Sequence, residues 1–297
     1  MDRLDRLRLF VAVADHGSFV AAAREHRVSP TVASRAIKAL ERELGTALLL
    51  RTTRSVRLTG EGAAFLERCR HALVELDDAR REIEGGVTEP SGLLVVTAPT
   101  VLGRIHVRPI LVSLLRNYPS LRLRLLLTDR VVRLAEEGVD VAIRVADLPD
   151  SSLVAVRLGT VRRVLVASPD YIARRGNPTS PAALSDHDIL LFEGFAPAGE
   201  LRLAPSHPPI ACRSPLFESN SVEATIDMVL DGCGIAQLLS YQVADAVAAG
   251  RLVLLLDDYA PPPIPVSAVL PANRQRSPSV RAFLDAARVQ FEAALSP

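Results

Sequence analysis

The 297 residues predict an α/β protein that carries a small, mostly helical head with a short β wing at its N-terminus. Three observations predict it. Up to about residue 60, apolar positions recur at helical spacing between cap residues and glycines. From residue 60 to about 86, one apolar seam runs at alternating steps of four and three. Beyond Pro90 the pattern changes to short aliphatic runs alternating with helical stretches, as in two-lobed folds built on parallel sheets.

Taken in order, residues 4–16 form a first helix with Leu7, Phe10, Val11 and Ala14 toward the core. Ser18 caps a short alanine-rich helix, residues 19–24. Ser29 caps a third helix, and Pro30 fits its first position, where no amide proton is needed. There Ala33, Ile37, Leu40 and Leu44 make one apolar stripe, while Thr31, Arg35, Lys38 and Arg42 recur on another face. Two helices joined by a few residues, the second with hydroxyls and cations on its outer face, read as a helix-turn-helix. An ordinary helix pair with a solvated charged face has the same periodicity. Residues 48–59 then read as an extended hairpin holding Arg51, Arg54 and Arg57 among Thr52, Thr53 and Ser55, a composition suited to following a phosphate backbone.

These positions carry a resemblance. Leu9-Phe10, Gly17-Ser18-Phe19, Ala21-Ala22-Ala23, Ser29-Pro30, Ser34, Leu40-Glu41, Leu44-Gly45, Arg51 and Leu58-Thr59 stand in a register similar to that of the DNA-binding domain of LysR-type transcriptional regulators. The sequence departs from the pattern at His26, where leucine is usual, at the order of Val32-Ala33, and at Leu50, where phenylalanine is frequent. The resemblance implies a winged domain (residues 1–59) that reads double-stranded DNA. Ser29, Thr31, Val32, Ser34, Arg35 and Lys38 would face the major groove, with Arg35 the candidate for guanine, and Arg51, Thr52 and Arg54 would hold phosphates.

Thr59 caps the next long helix, on which Phe65, Cys69, Ala72, Leu76, Ala79 and Ile83 form the seam, widened by Leu66 and Leu73. Packing within its own domain would use such a seam; so would a dimer. The dimer is preferred because sixty upstream residues offer little surface for so long a stripe, and the resemblance implies a linker helix over 60–86 that pairs two heads. A hinge at 87–92 precedes the α/β part (93–297). Strands are expected at 93–98, 121–128, 139–145, 163–167, 189–192, near 217, at 235–238 and at 266–270. Helices are expected at 107–117, 131–137, 169–174, 222–230 and 279–295. The first lobe takes 93–161 and 267–297, and the second 162–266.

This half resembles the LysR co-inducer domain, itself similar to periplasmic solute-binding proteins. In open α/β sheets, ligands sit beyond the carboxyl ends of strands, near helix starts. Thr97-Ala98-Pro99-Thr100 follows one strand, and Asn220 with Glu223 three residues on reads as a capping-box variant for the helix at 222. An anion between two helix starts would be well held. The resemblance puts Thr100 where relatives hold a carboxylate and Thr128, Val145, Phe192 and Asn220 along the crevice, beside Pro99 and Ser221. Arg144 would pair with an acidic ligand, or with Asp140 or Asp147. Each of these residues also has an ordinary role as cap or core.

Composition limits the alternatives. Residues 1–60 hold eleven Arg or Lys against six Asp or Glu, while the remainder is acidic by 28 to 24, so the basic charge is concentrated in the head. Lys38 is the chain's one lysine. No run approaches the roughly 20 apolar residues that span a bilayer, and the charged start does not read as a signal peptide, so a cytoplasmic protein is expected. Cys69, Cys212 and Cys233 form no CxxC and read as buried hydrophobes rather than a redox pair. The six histidines show no ligand spacing, so no metal and no cofactor are expected beyond a small-molecule effector, an organic acid or other anionic metabolite by the helix-start argument. No GxSxG, P-loop, HExxH or dinucleotide fingerprint points to an enzyme. The resemblance further implies an interrupted palindromic operator, a dimer that assembles into a tetramer, and RNA polymerase as a further partner. The competing class is a constitutive architectural DNA binder whose α/β half only oligomerises.

Overall fold

Helix α1 (Arg3–His16) touches every other element of the first unit that frames it: α2 (Phe19–Glu25), α3 (Pro30–Leu44), α4 (Gly60–Ile83) and the wing strand β2 (Val56–Leu58). That explains a burial pattern wider than one stripe. Leu9, Phe10, Ala12 and Val13 are the buried positions, and the expected Leu7, Val11 and Ala14 are only half-buried around them. A computed structural model describes residues 1–51, 56–83, 89–148, 153–194, 199–212 and 214–295, in two units, Met1–Leu93 and Leu94–Pro297.

Ser18 and Ser29 cap as their positions predict: the Ser18 hydroxyl accepts from the Ala21 amide at 3.3 Å and that of Ser29 from the Val32 amide at 3.2 Å. Each cap contributes about 1 kcal/mol. Gly45 ends α3 in the left-handed region, φ 70°. Strand β1 (Leu49–Arg51) pairs antiparallel with β2, Leu49 opposite Leu58 and Leu50 opposite Arg57. Thr59 ties this wing to α4: its hydroxyl donates to the Ala47 carbonyl and accepts from the Gly62 amide, both at 2.8 Å. A Cβ on Gly62 would lie 2.0 Å from the Leu48 carbonyl oxygen, so only glycine lets helix and wing approach this closely.

The second unit holds two five-stranded sheets. The first is ordered β4-β3-β5-β14-β6, from β3 (Gly92–Ala98), β4 (Leu121–Leu127), β5 (Val141–Val145), β6 (Leu153–Val161) and β14 (Ile264–Pro271). The second, ordered β11-β8-β12-β7-β13, uses β7 (Arg163–Ala167), β8 (Ile189–Phe192), β11 (Phe217–Ser219), β12 (Ile235–Leu239) and β13 (Val253–Leu255). A two-residue pair, β9 (Glu200–Leu201) with β10 (Ile210–Ala211), lies apart from both sheets. Both sheets are mixed rather than parallel throughout. β3 runs parallel to β5, and β8 to β11 and β12, but β14 is antiparallel to β5 and β6, and β7 to β12 and β13. The antiparallel members are those by which the chain leaves or re-enters a sheet without a crossover helix.

Helices cover these sheets: α5 (Thr100–Leu102), a π-helical segment Gly103–Val107, α6 (Arg108–Asn117), α7 (Leu134–Glu137), α8 (Pro169–Arg175), α9 (Val222–Leu230), α10 (Ser240–Ala248) and α11 (Pro278–Ala294). Helical structure thus begins at Thr100, seven residues before the sequence expectation, because Gly103 and the π turn continue the helix instead of breaking it. Strands β6 and β13 and helix α10 were not anticipated. β6 buries few of its residues, and α10 follows β12 with no intervening residue, its first turn held by the Gln242 side chain accepting from the Leu239 amide at 2.8 Å.

Candidate functional site

The outer face of α3 is built by what its inner face buries. Ala33, Ala36, Ile37 and Leu40 are buried, which leaves Thr31, Arg35 and Lys38 exposed and aligned along the opposite side. Val32, 42 % exposed, borders that row near the helix start, and Ser34 is half-buried. Among the described residues, neither Arg35 nor Lys38 has an acidic partner. Their neighbours differ: Arg3 and Arg6 both pair with Glu43 at 3.1 Å, and Arg70 pairs with Glu67 at 2.9 Å and with Asp15. Exposed cations without an acidic partner, on a head where Arg3 and Arg6 of α1 and Arg70 of α4 are neutralised, are what phosphate or guanine contact requires.

Glu41, one turn further on, has a role that its sequence position did not disclose. Its carboxylate accepts from the amides of Leu48 and Leu49 at 3.0 and 3.1 Å, joining α3 to the wing. The wing's Arg51 closes β1, and Thr52 and Arg54 lie outside the described residues.

On α4 the expected seam divides. Leu66 and Cys69 are buried in the head's own core, and Phe65 packs on Phe10 with ring centroids 5.7 Å apart. Burial pushes the Cys69 thiol up to about 11. Ala72 and Leu76 are exposed; the side chains of Ala79 and Ile83 lie outside the description. The first half of the stripe is therefore occupied intramolecularly, Leu73 is buried as well, and Ala72 and Leu76 are the seam residues described as exposed.

In the second unit, a cavity of about 140 Å³ opens beyond the carboxyl ends of β3 and β5. Pro99, Thr128, Arg144 and Val145 line it together with Asp129 and Val132. Arg144 does not pair with Asp140: its guanidinium donates to the Val132 carbonyl at 2.9 Å, forming one wall. Asp140 is turned inward to the buried Arg274, whose Nε donates to it at 2.8 Å, and it also accepts from the Val95 amide at 2.8 Å. Burial raises the Asp140 carboxyl to about 7, against the pull of the Val95 bond, and lowers the Arg274 pKa.

Thr100 meets this cavity through Asp129. The Thr100 amide donates to one Asp129 oxygen at 3.2 Å and its hydroxyl to the other at 2.7 Å. The expected role of Asn220 is corrected. Ser221 is the N-cap of α9, accepting from the Ala224 amide at 3.3 Å, so the Asn220–Glu223 capping box does not form. Asn220, one residue too early, is exposed, and Glu223 pairs instead with Arg104 at 3.5 Å, connecting the π segment with the first turn of α9. Phe192 is buried at the end of β8, and neither it nor Ser221 lines the 140 Å³ cavity. No group of three or more potential metal ligands occurs among the described residues, and no helix among them is long and apolar enough to cross a membrane.

Comparison with known proteins agrees with this anatomy. Residues 4–63 match the family model described as bacterial regulatory helix-turn-helix protein, lysR family, and residues 88–292 match the LysR substrate binding domain. The chain is 36 % identical over 291 residues to the HTH-type transcriptional regulator DmlR of Escherichia coli K12, covering 97 % of this chain and 94 % of that protein. It is 33 % identical over 303 residues to the HTH-type transcriptional regulator PtxR of Pseudomonas aeruginosa, covering 97 % and 94 %. The solved structure of CrgA, a LysR-type regulator from Neisseria meningitidis, superposes with a TM-score of 0.63 at 32 % identity, covering 96 % of this chain and 98 % of that one. The chain belongs to the LysR family of transcriptional regulators, a non-enzymatic family that joins a DNA-binding helix-turn-helix domain to an effector-binding domain.

Proposed function

We propose that this regulator is a cytoplasmic, sequence-specific DNA binder whose α/β half senses a small organic acid and thereby changes promoter binding and DNA bending. The observation that carries the effector reading is the Thr100 amide and hydroxyl gripping a carboxylate beside the cavity at the ends of β3 and β5. Base edges and the adjacent phosphates of the major groove are assigned to Thr31, Val32, Ser34, Arg35 and Lys38, with Arg35 on a base and Lys38 on a phosphate, Ser29 fixing the helix start and Arg51, Thr52 and Arg54 on the phosphates beside the wing. The exposed Arg35 and Lys38, with no acidic partner among the described residues, support it.

Two heads joined through α4, from Ala72 onward, would read an interrupted palindrome, and two dimers would form a tetramer that RNA polymerase meets at the promoter. Effector binding would shift the population between two packings of the dimers and so the spacing of their heads. Selection of bound genomic fragments, then footprinting with and without candidate acids, tests this. A palindromic site whose footprint shortens with one acid is expected. Salt-sensitive binding without sequence preference would overturn the DNA reading, and a footprint indifferent to every acid would overturn the effector reading.

A further inference from the structure

The carboxylate at Thr100 belongs to the chain itself. Asp129 follows the end of β4, where the Thr128 amide donates to the Ala98 carbonyl at 3.0 Å, and its two oxygens take the Thr100 amide and hydroxyl. It lies in the wall of the 140 Å³ cavity, with one side toward that space. The two cations in the same wall are engaged elsewhere: Arg130 holds Glu137 at 2.6 and 2.9 Å, and Arg144 holds the Val132 carbonyl. The buried Tyr241 of α10 feels the Asp129 charge, which adds to burial in raising its phenol pKa. Thus a two-point carboxylate clamp, a cavity beside it and a carboxylate already in the clamp coincide at one place, and no described cation neutralises Asp129.

We propose that Asp129 is a built-in competitor for the acid effector: it fills the Thr100 clamp in the unliganded protein, and a ligand carboxylate enters only by displacing it. The inference rests on the acid-sensing reading above and adds its regulation. The exchange replaces one carboxylate by another, so the clamp itself contributes little net affinity. A tethered competitor acts at high effective concentration. Simple acids present in every cell are therefore excluded, and only a ligand whose remaining atoms fill the cavity or reach α9 outcompetes Asp129. Displacement also frees the end of β4 from the start of α5. That is a contact present in one state and absent in the other, as a ligand-driven shift requires.

The test uses the full chain and three probes, acetate, succinate and benzoate, titrated calorimetrically at constant ionic strength and followed by thermal unfolding. The Asp129→Asn and Asp129→Ala variants should bind at least one probe about tenfold or more tighter than the parent, the scale of a charged hydrogen-bond pair. Adding Thr100→Val should abolish the gain. Equal affinities in parent and variants would overturn the competitor while leaving acid sensing intact. A gain that survives Thr100→Val would also overturn it, by placing the acid elsewhere. Failure of every probe to bind any variant, with cooperative unfolding retained, would overturn the competitor, while the acid-sensing reading falls only with a footprint indifferent to every acid.

Discussion

Arg35 and Lys38 lie on the same exposed face, yet they call for different measurements. A guanidinium can take both acceptors of one guanine, so Arg35→Ala should cost about 1–3 kcal/mol on a selected site and relax sequence choice there. An ammonium on a phosphate carries no sequence information, so Lys38→Ala should weaken all DNA alike and lower the salt slope by about one unit. Binding isotherms on selected and random duplexes at several salt concentrations separate the two; equal losses on both duplexes for Arg35→Ala would remove its base-reading role. At this scale the sequence was informative for local caps such as Ser29 with Val32 three residues on, though at α9 it placed the cap one residue early, on Asn220 instead of Ser221. It was silent where the partner is far: nothing local marks Asp129, 29 residues beyond Thr100, as its hydrogen-bond acceptor.

Among elements, the wing shows what a three-residue strand pair needs in order to persist, since an isolated hairpin is marginal in water. Three groups hold it: Glu41 from α3, Thr59 between the wing and α4, and the bare Cα of Gly62. Gly62→Ala would press a methyl group into the Leu48 carbonyl, and a destabilisation of about 1–3 kcal/mol in the head is expected from overpacking. Glu41→Gln weakens the charged acceptor for two amides and should lower affinity for every DNA sequence while leaving base preference as it was. Denaturation and binding curves check both; a loss confined to one sequence would contradict the wing assignment. The heptad rhythm of α4 was legible, but its meaning was not. Periodicity reports which residues share a face and leaves open whether Phe65 and Cys69 meet their own core or a partner. Here they meet their own core.

For the whole molecule, alternation of apolar runs was enough to reveal a two-sheet α/β half, whereas strand direction was not, because antiparallel return strands such as β14 have the same composition as parallel ones. The chain crosses between sheets at Arg162 and returns before Ile264, and Arg274, just past that return, pairs with Asp140 under β3 and β5. Removing one partner of a buried pair strands the other, so Arg274→Leu should cost about 3–5 kcal/mol at pH 8. Burial raises the Asp140 carboxyl from 3.8 to about 7, so the folded state binds its proton more tightly than the unfolded chain does. Stability associated with that proton is present at low pH and is lost as pH rises through this window. The deficit of Arg274→Leu should therefore be smaller at pH 5 than at pH 8 in urea denaturation, and an equal deficit would mean that Asp140 stays charged throughout.

With one lysine in 297 residues, the exposed Lys38 is the chain's sole side-chain primary amine. An acylating reagent of the succinimidyl ester type has only this ε-amine and the α-amine to modify, so a mass spectrum of the labelled protein resolves into very few species. Shielding of that one nitrogen by bound duplex would report occupancy of the α3 face directly, without a mutation or an attached dye. Equally, enzymatic acetylation there would erase the chain's whole complement of ammonium side chains in a single step.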